Sequence, residues 1–222
     1  MLHLNGTRHV VWDWNGTLLD DAWLIRDSLN ALLAQRGLPT LSPEEHASGF
    51  GFPLKAYYTS VGFDFERESF EGVSHQFKEH YEARRQSVAL REGAVELLRE
   101  FHARGLQQSL LSAYNQTLLR NFVADRKLEQ WFQTVTGTSN HTAEGKIELG
   151  RGWLADSALD PASVLMIGDT LHDVEVAQAM GVRIVLIASG HQSRERLEAS
   201  GFPVFDTFDA MFKPDGNDSS RS

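Results

Sequence analysis

The chain has 222 residues, 41% of them hydrophobic, with a formal net charge of −9 and a pI near 5.4. That length can bury the core of one domain, or of one domain carrying a modest insertion, and the acidic balance argues against nucleic acid or anionic membrane as a partner, since both need clustered Lys and Arg. Cysteine is absent, which excludes disulfides, thiolate nucleophiles and thiolate-bound metals.

The opening residues MLHLNGTRH lack the apolar stretch of a signal peptide, and nowhere do about 18 apolar residues run together as a membrane span requires. A soluble, cytoplasmic protein is therefore expected. Short apolar runs follow along the chain: HVVWDW (9 to 14), QSLLSAY (108 to 114), FQTVTG (132 to 137), SVLMIGD (163 to 169) and RIVLIAS (183 to 189). Continuous apolar runs of this length suit strands covered on both faces, and helical periodicity alternates with them near 91 to 104, 116 to 126, 146 to 157, 172 to 180 and 193 to 200. Gly105 and Gly181 stand where helix C-terminal caps are expected.

The interval from 20 to 88 is too long for one crossover helix and reads almost wholly as helix, broken at Gly37 to Pro39, Gly49 to Pro53 and Gly62. The predicted fold is α/β, a three-layer Rossmann-like parallel-sheet core over 1–19 and 89–213 with an inserted α-helical block over 20–88. A polar tail over 214–222 is expected to be disordered.

In an open parallel sheet, ligands collect at the carboxyl ends of the strands. The first strand delivers Asp13, Asn15 and Thr17 there; the second delivers Ser112 and Asn115; the fourth delivers Asp169, Thr170 and Asp173. Lys146 opens the helix after the third. Two carboxylates from different strands, a hydroxyl and an ammonium suit Mg²⁺ and a phosphoryl group, because Mg²⁺ takes one or two carboxylates plus substrate oxygens.

The order Asp13-x-Asn15-Gly16-Thr17-Leu18, Ser112, Lys146 and Gly168-Asp169-Thr170-x-x-Asp173 resembles the four motifs of the haloacid dehalogenase superfamily. The helical block is similar to the cap of its phosphoglycolate phosphatase and β-phosphoglucomutase branch. The resemblance implies a phosphatase in which Asp13 attacks phosphorus to form an aspartyl phosphate. Ser112 would bind a phosphoryl oxygen, with Gly16, Thr17 and Asn115 beside it, and Lys146 would hold nucleophile and phosphate together. Asp13, the backbone carbonyl of Asn15, and Asp169 would hold Mg²⁺, with Asp173 as a further ligand or partner. The implied substrate is a small phosphorylated metabolite, phosphoglycolate being the first to test.

One position departs from that pattern: Asn15 replaces the aspartate that protonates the leaving group and later deprotonates water. An amide does neither, and such help is worth about 10² to 10⁴ in rate. Three histidines, His172, His191 and His141, are candidates to substitute, His172 leading on position. Two other readings accommodate Asn15. Phosphonoacetaldehyde hydrolases lack the second acid and use a Schiff-base lysine, a role open to Lys55 in the loop GFGFPLK. Alternatively, the protein binds a phosphorylated ligand or traps the phosphoenzyme with little turnover. In a phosphatase Lys55, or the pair Arg84-Arg85, would bind an anionic substrate tail.

Overall fold

The computed structural model describes residues 2–138 and 144–212; the predicted tail and His141 lie outside them. Among the described residues, six parallel strands form one sheet in the order β3-β2-β1-β4-β5-β6. They are β1 (His9–Trp12), β2 (Gln107–Asn115), β3 (Thr134–Thr138), β4 (Val164–Gly168), β5 (Arg183–Ile187) and β6 (Val204–Phe205). The sheet has helices on both sides. After β1 come α1 (Ala22–Gln35), α2 (Pro43–Gly49), α3 (Leu54–Ser60) and α4 (Phe70–Arg84), of which α2 and α3 are short. After them come α5 (Ala94–Ala103), α6 (Gln116–Asp125), α7 (Glu144–Ser157), α8 (Leu171–Met180) and α9 (Arg194–Glu198).

The strands read as unbroken apolar runs because both of their faces are covered. On β1, Val10 and Trp12 point into one apolar cluster and Val11 into another; Leu165 and Ile167 divide from Met166 in the same way on β4. β1 stops at Trp12, short of the expected 14, because residues beyond it fold into a tight loop where Gly16 takes φ +77 and its N–H bonds back to Leu19. β6 was not anticipated from the sequence; two residues are too few to carry a periodic signal.

Helix ends follow their local chemistry. Gly105 and Gly181 adopt positive φ just after α5 and α8, as their sequence positions suggested. Ser42 and Glu45 form a reciprocal capping box on α2, and Thr170 and Asp173 do the same on α8.

Helices α1 to α4 enclose a third apolar cluster that includes Leu29, Leu33, Phe50, Tyr58 and Val73. The chain leaves for this block and returns from it side by side, Leu19 bridging antiparallel to Leu90. Hydrogen bonds from Ser193 N to Ala47 O, Gln192 Nε2 to Phe50 O and Arg196 to Phe50 O tie the block to the strand ends. No helix among the described residues is long and apolar enough to cross a membrane.

Candidate active site

Asp13 follows directly on β1, between the fully buried Trp12 and Trp14. Its Oδ1 lies 2.5 Å from Lys146 Nζ, and that ammonium lies 2.6 Å from Asp173 Oδ1. Thr17 Oγ1 is 3.2 Å from Asp13 Oδ2 and 3.0 Å from Asp169 Oδ1, one hydroxyl between two carboxylates from neighbouring strands. The other Asp173 oxygen accepts from the Thr170 hydroxyl and from the N–H groups of Asp169 and Thr170. Asp173 thus caps α8 and anchors Lys146 at once.

Close backbone approach makes this possible. A Cβ on Gly16 would stand 2.1 Å from His191 Nδ1, and one on Gly190 would stand 2.2 Å from Asp169 Oδ2. Only glycine fits at either place.

Oxygens of Asp13, Asp169 and Asp173, all buried, lie within 4.8 Å of one another. Burial pushes Asp13 up to about 7, against the downward pull of Lys146, and the charges of Asp173 and Asp169 add to the rise. Asp173 goes the other way: burial would raise it, but the Lys146 ammonium holds it below the usual carboxylate range. Lys146 is raised, the two carboxylates outweighing its burial. The donor set is three carboxylates, hard oxygen ligands whose repulsion one ammonium does not fully offset. That chemistry fits a small divalent cation such as Mg²⁺.

His191 closes the site on the other side. Its backbone N–H and ring Nδ1 both reach Asp169 Oδ2, at 2.7 and 2.8 Å. Burial alone would lower it, yet the carboxylates of Asp169 and Asp21 bring it to about 9. The leading candidate from the sequence, His172, also lines the cavity, where its ring lies 4.8 Å from Phe52 and its Nδ1 is 2.7 Å from Glu175 Oε2.

Asn15 has a partner that the sequence did not announce. Its amide donates to Asp21 Oδ2 at 2.6 Å and to Tyr81 Oη at 3.1 Å, while Gly16 N donates to Asp21 Oδ1 at 2.7 Å. Tyr81 donates to the same Asp21 oxygen at 2.7 Å. Asp21 has no exposed surface, and burial raises its pKa despite the charge of His191 and these donors. The structure therefore places a buried carboxylate one hydrogen bond from the position where an acid was missed. The available signal was the acidic pair Asp20-Asp21 just after the loop that follows Asp13. Arg91 was missed as well: its guanidinium donates to the backbone oxygens of Thr17 and Gly16 and so fixes that loop.

A cavity of about 180 Å³ opens above the carboxylates. Asp13, Asn15, Lys146, Ser112, Asp169 and Asp173 all reach its wall. Ser112 is buried and accepts from Tyr114 N. Asn115 is not on that wall; its carbonyl caps α6 by accepting from Thr117 and Leu118 N–H groups. Lys55 is not brought to the site either. It is exposed, with its ammonium 5.7 Å over the Phe65 ring, because it follows Leu54 on α3 and a helical step of about 100° turns it outward.

Residues 10–187 match the family described as haloacid dehalogenase-like hydrolase. A 5'-nucleotidase of Pseudomonas aeruginosa is 30% identical, the match covering 86% of this chain and 87% of that one. The tyrosine-protein kinase PtkA of Mycobacterium tuberculosis is 26% identical over 88% of this chain and 67% of its own. Among solved structures, a haloacid dehalogenase-like family hydrolase from Streptococcus pneumoniae superposes with a TM-score of 0.77 at 17% identity, covering 90% of this chain and 93% of that one.

Proposed function

The chain belongs to the haloacid dehalogenase-like hydrolase family, and from that premise we propose a Mg²⁺-dependent phosphatase that cleaves small phosphomonoesters through an aspartyl phosphate on Asp13. The observation that carries this reading is the Lys146 ammonium seated between Asp13 and Asp173, beneath a cavity that Asp169 and Ser112 also reach. Residues 20–88 act as the cap, and the protein works in the cytoplasm on a phosphorylated metabolite.

An Asp13 oxygen attacks phosphorus, the phosphorus–oxygen bond to the alcohol breaks, and the alcohol oxygen leaves with the electron pair. Lys146 offsets the charge on Asp13 and the phosphoryl oxygens, and the Ser112 hydroxyl and the loop around Gly16 and Thr17 orient them. Asp13, Asp169 and the backbone carbonyl of Asn15 would hold Mg²⁺, with Asp173 anchoring Lys146 beside it; the ion supplies further charge neutralisation at the phosphoryl group. The roof over the cavity, held by the bonds to Ala47 and Phe50, excludes water during the first step.

In the second step water must attack the aspartyl phosphate. Asn15 takes no proton from it, and its amide is committed to Asp21 and Tyr81. With an activated leaving group dephosphorylation is then the slow step, while departure of an unactivated alcohol, which Asn15 does not protonate, is slowed as well; the phosphatase and the phosphate-trapping alternative differ in the rate of dephosphorylation. The Schiff-base alternative draws no support from the exposed Lys55.

Rapid mixing with an activated aryl phosphate, with and without Mg²⁺, tests the proposal. A metal-dependent burst near one equivalent, followed by slow turnover, is expected, and Asp13→Asn should reduce release by at least ~10³-fold. Release that is indifferent to both Mg²⁺ and Asp13 would remove the proposal.

A further inference from the structure

We infer that the ester taken by this site carries a small, uncharged, apolar tail, such as a single ring or a short hydrocarbon, and not an anionic tail like that of phosphoglycolate. The inference rests on the phosphatase reading for the chemistry at Asp13 and on the cap wall for the tail.

The two ends of the cavity differ in kind. Its charged lining groups lie at the strand ends, where Lys146 is held by Asp13 and Asp173, and His191 by Asp169. Every residue that α1 to α4 and their loops place on the wall is apolar or aromatic, from Ile25 and Leu29 through Phe50, Leu54 and Tyr58 to Phe77. Three of the tyrosine hydroxyls on this wall are already engaged: Tyr57 with His46, Tyr81 with Asp21, and, from the sheet side, Tyr114 with Glu82.

Cations that could receive an anionic tail are occupied elsewhere. Arg84 lies over Trp23 and near Asp27, and Arg85 pairs with Glu82 and covers Phe122. Arg26 pairs with Asp27, Arg36 with Glu68, and Lys55 lies outward over Phe65. None of the five reaches the cavity wall. A carboxylate tail would lose its water against aromatic carbon with no counter-charge from the helical block, which disfavours it, whereas a ring or alkyl tail gains from the same burial.

Volume narrows the class. The cavity of about 180 Å³ is smaller than the ~300 to 1,000 Å³ of sites for drug-sized ligands and somewhat larger than the ~150 Å³ apolar cavity that holds benzene. A nucleoside beside a phosphoryl group would not be enclosed by a cavity of that size.

Equilibrium binding in the presence of Mg²⁺ tests the inference without depending on turnover. The probes are benzylphosphonate and phosphonoacetate, both non-hydrolysable, one with an apolar and one with an anionic tail. Benzylphosphonate should bind at least ~10-fold more tightly. Leu54→Arg, at a half-buried wall position, should close that gap by ~10-fold by providing the missing counter-charge. Equal or reversed affinities in the wild-type chain would overturn the inference. Metal-dependent release from an activated aryl phosphate is measured alongside. If the binding order holds while no such release occurs, the tail preference stands and the phosphatase reading falls; if neither phosphonate binds, both fall.

Discussion

The two halves of the site meet at a pair of buried histidines whose ring centres lie 6.4 Å apart. His46 belongs to the helical block, where burial drives its pKa down to about 3, with smaller contributions from His191 and Arg26. His191 belongs to the strand ends and rises to about 9, because Asp169 and Asp21 outweigh the same desolvation. Equal depth therefore gives opposite charge, and the neighbours decide which. Below His191 carboxylates dominate the polar network; above His46 the wall is aliphatic and aromatic, carrying no charged group. On the proposed reading the first half holds a phosphoryl group and the second chooses what is attached to it.

Removing Lys146 attacks the polar half at its centre. Lys146→Met leaves Asp13 and Asp173 facing one another without the ammonium, and loss of one partner of a buried pair costs about 3 to 5 kcal/mol. Urea unfolding without divalent ions should register that loss, and added Mg²⁺ should restore part of it. Unchanged stability would mean that the carboxylates do not carry the charge assigned to them.

A second test exchanges partners across the Asn15–Asp21 hydrogen bond. Asn15→Asp alone sets two carboxylates about where an amide and a carboxylate now meet at 2.6 Å, so they share a proton and little rate is gained. The double variant Asn15→Asp/Asp21→Asn keeps the hydrogen bond and moves the acid to the cavity wall. It should speed the slow phase after the burst by about 10²-fold. An equal gain in the single variant would show that Asp21 does not constrain position 15.

The smallest effect is read on the apolar half, through pH. His46 has a folded value near 3 against 6.5 in the unfolded chain, so between those values the unfolded chain binds more protons and stability falls as the solution is acidified. The groups that face it are Tyr57, His191 and Arg26. His46→Phe should flatten the stability change between pH 6 and 4 by up to about 1.4 kcal/mol per pH unit, measured by urea midpoints. His9, also lowered by burial, to about 4, is present in both proteins and cancels in the difference. Parallel profiles would show that His46 is solvated and the roof is open to water.

Much of this was legible beforehand, for identifiable reasons. The strands at β1, β2, β4 and β5 announced themselves because double burial requires unbroken apolar runs, and Asp13 and Asp169 stand directly at ends that such runs define, with Asp173 in the first turn of the helix after β4. Asp21 did not, because Asp20 and Asp21 look alike in sequence. In the structure Asp20 faces outward, 3.4 Å from Arg91, and Asp21 has no exposed surface. Which of two adjacent acids turns inward depends on Tyr81, sixty residues away. Lys55 fails for a related reason: the loop GFGFPLK does reach the cavity through Phe50 and Phe52, but helical phase on α3 gives the cavity to Leu54 and Tyr58, one turn apart.

The two indoles that flank Asp13, the proposed nucleophile, give the molecule a capacity for change. Trp12 is stacked against Phe101 and edge-on to Phe208, and Trp14 is edge-on to Phe122, both with no exposed surface. Asp13 is thereby set by the interior of the sheet layer, while Leu29, Phe50 and Tyr58 belong to a separate apolar cluster. Selection acting on the roof can alter diet while the reactive centre inherits its position unchanged, so new substrates can be explored by lineages that never relearn the chemistry.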